Sequence, residues 1–121
     1  MQAAFIESAE FTDWVSEFLP DDALSQLQLA LMVDPSQGDV IPGCGGLRKV
    51  RLADSRRGRG KRGGARVIYL HVPEARRFYL LDIYGKHEKD DLTSAEKKAL
   101  AKLAAVLKKE ANASSQSRNP S

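Results

Sequence analysis

Phe11, Trp14, Val15 and Phe18 fall at the i, i+3, i+4, i+7 spacing of one helix face, and Leu24, Leu27 and Leu31 repeat such a face further on. Pro20 separates the two runs, Asp21 and Asp22 offer a cap and favourable dipole charge to the second, and Asp34-Pro35 ends it. The pattern therefore predicts an αα-hairpin, preceded by a short strand at Ala3 to Ile6. The turn-forming run GDVIPGCGG from Gly38 to Gly46 reads as a connector into a sheet.

From Leu47 to Ala53 the period changes to two. Val50 and Leu52 share one strand face while Lys49 and Arg51 share the other, so two cations project side by side. Asp54 to Gly64 (DSRRGRGKRGG) holds no apolar residue and four glycines, which predicts a loop between strands. Ala65 to Val72 is a β-rich run, Pro73-Glu74 a turn, and Arg77 to Tyr84 (RFYLLDIY) the next strand of an antiparallel meander. Thr93 and Glu96 have the spacing of a capping box and open a helix with Leu100, Leu103 and Leu107 as its apolar stripe. The expected fold is α+β: a small antiparallel sheet, made of the short first strand and a three-stranded meander, packed with the αα-hairpin and a C-terminal helix. One domain over residues 1–110 is expected, followed by a disordered polar tail over 111–121.

Charge changes the picture from fold to function. Residues 1–47 carry eight acids and no Lys or Arg, whereas residues 48–66 carry nine of the nineteen basic residues with Asp54 as their single acid. The net charge of +3 conceals this partition. Clustered cations gain from counterion release, so the patch predicts contact with a polyanion such as nucleic acid. A solvated loop kept soluble by charge is the plainer account of RRGRGKRGG; the convergence of Lys49, Arg51 and Arg66 on one side of a hairpin favours a binding site.

Other chemistries are set aside. One Cys and two His make no zinc pattern, and the glycines form neither a P-loop nor a dinucleotide fingerprint, so neither metal nor cofactor is expected. Lone Cys44 closes no intrachain disulfide, and no segment approaches the about 20 apolar residues of a membrane span. A soluble cytoplasmic protein without a membrane partner is the expectation. Asp90-Asp91, ahead of a helix start, reads as a dipole partner, His71 as a structural residue within a strand, and His87 as either catalyst or surface group.

The combination GDVIPGCGGLRKVR, GRGKRGGARVIY and FYLLDIYGKHEKDDLT resembles the RelE/HigB superfamily of bacterial toxins, in particular the HigB-type branch, from Phe5 to about Glu110. The resemblance implies a RelE-like fold and a toxin that enters the ribosomal A site, contacts ribosomal RNA and cleaves mRNA. It also implies a helix-turn-helix antitoxin of HigA type encoded beside it, through which alone operator DNA would be reached. The implied reaction is metal-independent attack of the ribose 2′-OH on the adjacent phosphate. Carried over motif by motif, the catalytic candidates are Lys49, Arg51, Arg66, Lys86 and His87: Arg51 and Arg66 as phosphate clamp, Lys49 as base or electrostatic partner, His87 or Lys86 as donor to the leaving oxygen. Arg48, Arg56, Arg57, Arg59, Lys61 and Arg62 would hold RNA backbone, and Tyr84, Tyr69 or ribosomal bases would supply stacking. Many members carry arginine where His87 stands. A translation inhibitor that grips RNA without cutting it is the alternative.

Overall fold

Ser8 sets the first helix in place: its hydroxyl accepts the Phe11 amide at 3.0 Å and donates to the Leu81 carbonyl at 2.7 Å. It is thus both N-cap and clamp onto a distant strand. The computed structural model describes residues 3–53, 64–85, 89 and 91–117, with side chains up to residue 113. Their order is β1 (Ala4–Glu7), α1 (Ala9–Phe18), α2 (Asp21–Val33), β2 (Asp39–Val40), β3 (Arg48–Leu52), β4 (Ala65–Val72), a 3₁₀ turn (Pro73–Ala75), β5 (Arg77–Gly85) and α3 (Ser94–Ser117). This is the expected α+β class.

The strands form a five-stranded sheet in the order β1-β5-β4-β3-β2. The β2–β3, β3–β4 and β4–β5 pairs are antiparallel, while β1 runs parallel to β5. The meander is as expected; the connector is not pure turn, because Asp39 and Val40 pair with Lys49 and Arg48. Gly38 makes that approach possible, since it sits at φ +81° and a Cβ there would run into the Lys49 carbonyl.

Each face of the sheet is covered by helix. Phe11, Phe18, Leu27 and Leu31 of the hairpin pack on Val50, Val67, Tyr69, Phe78, Leu80 and Ile83. On the other face Ala104 and Ala111 of α3 pack with Ile68, Leu70, Val72, Tyr79 and Leu81. Three details of the helices differ from expectation. Pro20, not an aspartate, is the N-cap of α2 and makes no side-chain cap bond; Asp21 and Asp22 lie in the first turn, where their charge suits the dipole. The apolar stripe of α3 centres on small residues, for Ala104 and Ala111 are fully buried while Leu103 is 38% exposed. Burial of Ala111 carries the helix on to Ser117, through the first part of the segment expected to be disordered.

The β4–β5 ladder slips between Ile68, which pairs with Asp82, and Tyr69, which pairs with Leu80. Leu81 is therefore an extra residue, a bulge, and it reverses which face the rest of β5 presents. Strict alternation would put Tyr84 on the side of Phe78 and Leu80. The bulge moves it to the opposite side, across from Arg66.

Candidate nucleic-acid interface

The alternation of β3 sends Val50 and Leu52 into the hairpin-side core and leaves Lys49 and Arg51 on the other face. Arg51 pairs in register with Arg66, and Arg66 with Tyr84; one step along, Lys49 pairs with Ile68, and Ile68 with Asp82. Neighbouring strands lie about 4.8 Å apart. Two rows, Arg51-Arg66-Tyr84 and Lys49-Ile68-Asp82, thus form one small grid.

Arg66 is only 4% exposed, and its Nη1 donates to the Gly64 carbonyl at 2.9 Å. Arg51 beside it is exposed. Like charges directly across a ladder repel, and a buried guanidinium is costly unless held by hydrogen bonds. The pairing of Arg51 with Arg66 therefore has the form of an anion site: a planar fork fixed by the fold and a second cation at its mouth.

Lys49 is held differently. Its Nζ lies 3.5 Å from Asp91 Oδ1, and Asp91 Oδ2 lies 3.5 Å from Lys97 Nζ. The Leu92 amide donates to Asp91 Oδ1 at 2.8 Å. That amide, with Lys49 and Lys97, holds the Asp91 carboxyl below its ordinary value. Asp91 is thus the anchor of a lysine on the cation face, and of the two roles considered for Lys49 its ion-paired geometry fits the electrostatic one.

The other candidates scatter. Arg48 projects to the opposite face, where its Nη1 donates to the Ser36 carbonyl at 2.9 Å and the Gly38 carbonyl at 3.2 Å. It ties down the α2–β2 connection and stands apart from Lys49, Arg51 and Arg66. Tyr84 is on the grid but 2% exposed, so its ring offers no open stacking platform. Its hydroxyl has no hydrogen-bond partner among the described residues and is pushed up to about 12, chiefly by burial and then by Asp91 and Asp82. Tyr69 is also buried, its hydroxyl donating to the Pro35 and Gln37 carbonyls. Lys86, His87 and the loop cations Arg56, Arg57, Arg59, Lys61 and Arg62 lie outside the described residues. Gly85, which immediately precedes Lys86, pairs with Ala65 and so ends β5 beside Arg66.

His71 stacks on Phe78 with ring centroids 4.3 Å apart, and burial pushes its imidazole below its ordinary value. It stands five residues along β4 from Arg66, roughly 17 Å at strand rise, as a packed residue remote from the grid.

The family model described as RelE toxin of RelE / RelB toxin-antitoxin system matches residues 9–117. This chain belongs to the RelE toxin family. It is a toxin of a toxin–antitoxin system, and a cognate antitoxin is its implied partner. A free-state structure of E. coli toxin RelE, a mutant with two arginines replaced by alanine, superposes with a TM-score of 0.50 at 15% identity. That match covers 74% of this chain and 90% of the other. The likeness extends the family assignment to the fold. Among the described residues of this RelE-family toxin, no helix is long and apolar enough to cross a membrane.

Sequence pattern singled out Lys49 and Arg51 by alternation, and Arg66 by the hairpin that brings it beside them. It missed Asp91 as the anchor of Lys49, because nothing in a linear spacing brings residues 49 and 91 together. It also placed Trp14 with the core, although the indole is 49% exposed.

Proposed function

We propose that this RelE-family toxin is an mRNA endoribonuclease of HigB type that works in the ribosomal A site. The observation that carries this reading is the Arg51–Arg66 pair, in which a 4%-exposed guanidinium stands across one ladder step from an exposed one. Such a pair suits a scissile phosphate: charge that builds on the non-bridging oxygens meets donors already fixed in place. The 2′-OH attacks the neighbouring phosphorus, the 5′ oxygen leaves, and a cyclic phosphate remains. Lys49, fixed by Asp91, adds positive charge at the same face, and Lys86 or His87 is the candidate proton donor to the leaving oxygen. Loop cations at 56–62 hold ribosomal RNA backbone. A HigA-type helix-turn-helix antitoxin covers the cation face, and the toxin reaches operator DNA only through it.

Primer extension on mRNA translated in a purified system tests this with the wild-type chain, with Arg66→Ala, and with ribosomes omitted. Cuts that require both ribosomes and Arg66 are expected. The ion pairing of Lys49 favours a second reading, a toxin that grips RNA without cutting it, and intact mRNA with stalled translation would assign that one.

A further inference from the structure

Beside the cation grid lies a cleft of about 460 Å³ lined by Glu10, Trp14, Asp82, Ile83, Tyr84 and Lys89. It forms where β1 ends: Glu7 is the last residue paired with β5, opposite Leu80, so the β5 edge beyond Leu81 is open to α1. The Ser8 bond to the Leu81 carbonyl fixes α1 at that edge, and Glu10 and Trp14, one turn apart, face the cleft. From the sheet side the Leu81 bulge delivers Asp82 and Tyr84.

We infer that this cleft binds the unpaired nucleobase next to the phosphate held by Arg51 and Arg66, with Trp14 as its stacking surface; the inference rests on the ribonuclease reading and adds a base-reading site to it. Adjacency supports it, since Tyr84 of the cleft wall is the cross-strand partner of Arg66, one backbone strand spacing of about 5 Å away. Such a step is within the reach of one nucleotide from phosphate to base. An indole half open to solvent at the edge of an anion site is what stacking on a single-stranded base requires. The polar groups then anchor the base edge. Asp82 carries an acceptor and Lys89 a donor, with Oδ2 and Nζ 4.0 Å apart. Each RNA base presents an N–H donor beside an acceptor on its hydrogen-bonding edge, which meets that pair. Asp82 Oδ1 accepts the Ile83 amide at 2.9 Å, and Oδ2, on the side of Lys89, has room to accept an N–H of a base. Lys89 also lies 4.7 Å over the Tyr84 ring and pairs with Glu96, which holds its ammonium at the cleft wall.

Trp14 is the chain's single tryptophan, so its fluorescence reports on the cleft directly. The full chain is titrated with GMP, UMP, AMP and CMP, and with ribose 5-phosphate as the base-free control. Saturable quenching by the four nucleotides, absent with ribose 5-phosphate, is expected. Asp82→Ala removes the acceptor and should weaken that binding about tenfold for all four nucleotides. In cleavage mapping, Trp14→Ala should cut about tenfold or more slowly and with altered sites, and Trp14→Phe should recover most of the rate. Two results overturn the inference: no base-dependent quench, or wild-type rate and sites in Trp14→Ala. A Trp14 signal that answers to the antitoxin alone is the first of these and makes the cleft a protein-docking surface. Should the wild-type chain leave mRNA intact while base-dependent quenching persists, the ribonuclease reading fails and the base site stands.

Discussion

Arg66 and Asp82 occupy adjoining rows of one sheet face, and the fold treats their charges differently. The Arg66 guanidinium is 4% exposed and bonded to the Gly64 carbonyl, so its geometry is set before any ligand arrives. Arg66→Ala is expected to lower the cleavage rate by about 10²–10³-fold, the usual cost of removing one preorganised donor to a developing oxyanion; single-turnover cleavage of ribosome-bound mRNA checks it. Asp82 is held in a less comfortable state. Burial raises its carboxyl above the ordinary 3.8, so the folded chain holds that proton more tightly than the unfolded one does. The stability this gives is fully present below the unfolded value and is lost as pH rises through the folded one. Asp82→Asn should therefore melt at a higher temperature than wild type at pH 7, with the advantage vanishing at about pH 3, where both carry a neutral group. Calorimetric scans of the two chains at both pH values measure it. A gain of that kind at neutral pH is the expected mark of a residue kept for function rather than for stability. Of these residues, alternation in β3 makes the facing of Lys49 and Arg51 legible, and by the same rule Arg48 belongs with Val50 and Leu52. The facing of Asp82 and Tyr84 is illegible from pattern, because a single bulge at Leu81 inverts it and RFYLLDIY carries no glycine or proline to mark the slip.

At the scale of elements, α3 is the piece whose start is written in the chain and whose end is not. Thr93 and Glu96 form the capping box anticipated from their spacing: the Thr93 amide donates to Glu96 Oε1 at 2.9 Å, and the Glu96 amide to Thr93 Oγ1 at 3.1 Å. Thr93→Ala removes the second bond, and a loss of about 1 kcal/mol is expected in urea unfolding. The far end depends on packing. Asn112 to Ser121 is polar enough to read as a tail, yet Ala111 is fully buried in the α3-side core and the helix runs on to Ser117. A chain ending at Glu110 should unfold at lower urea than one ending at Ser117, since it lacks the buried methyl and the turns that follow; identical midpoints would show that the last turns contribute nothing. The parallel β1–β5 pair escapes sequence reading for a related reason. A four-residue strand signals its existence, while its partner and direction are fixed by the α1 clamp through Ser8 and Leu81, residues 73 apart.

Over the whole molecule, the proposed function divides gripping from cutting. The acidic first 47 residues supply the α1–α2 layer on one sheet face, and the cation grid of β3 and β4 lies on the other. On the proposed function, an anionic ribosome would meet attraction on one side and repulsion on the other, which would orient the encounter before any specific contact forms. Within the basic stretch, the five cations at positions 56, 57, 59, 61 and 62 stand in a segment with no apolar residue, whereas Arg66 is built into the sheet. Binding to RNA backbone reveals itself through salt: removing one cation that neutralises a phosphate reduces the slope of log K against log salt concentration by about 0.7–0.9. Replacing the five loop cations by Gln should flatten that slope by several units and weaken ribosome binding, with the positions of the mRNA cuts unchanged. Arg66→Ala should do the reverse, leaving the slope within about one unit of wild type while the cuts disappear. Ribosome pelleting across a salt series, run beside cut-site mapping on the same preparations, sets the two variants against each other. If the loop variant moved the cut sites, or if Arg66→Ala flattened the slope as much as the loop variant does, grip and chemistry would share one set of residues and the division between loop and sheet would not hold.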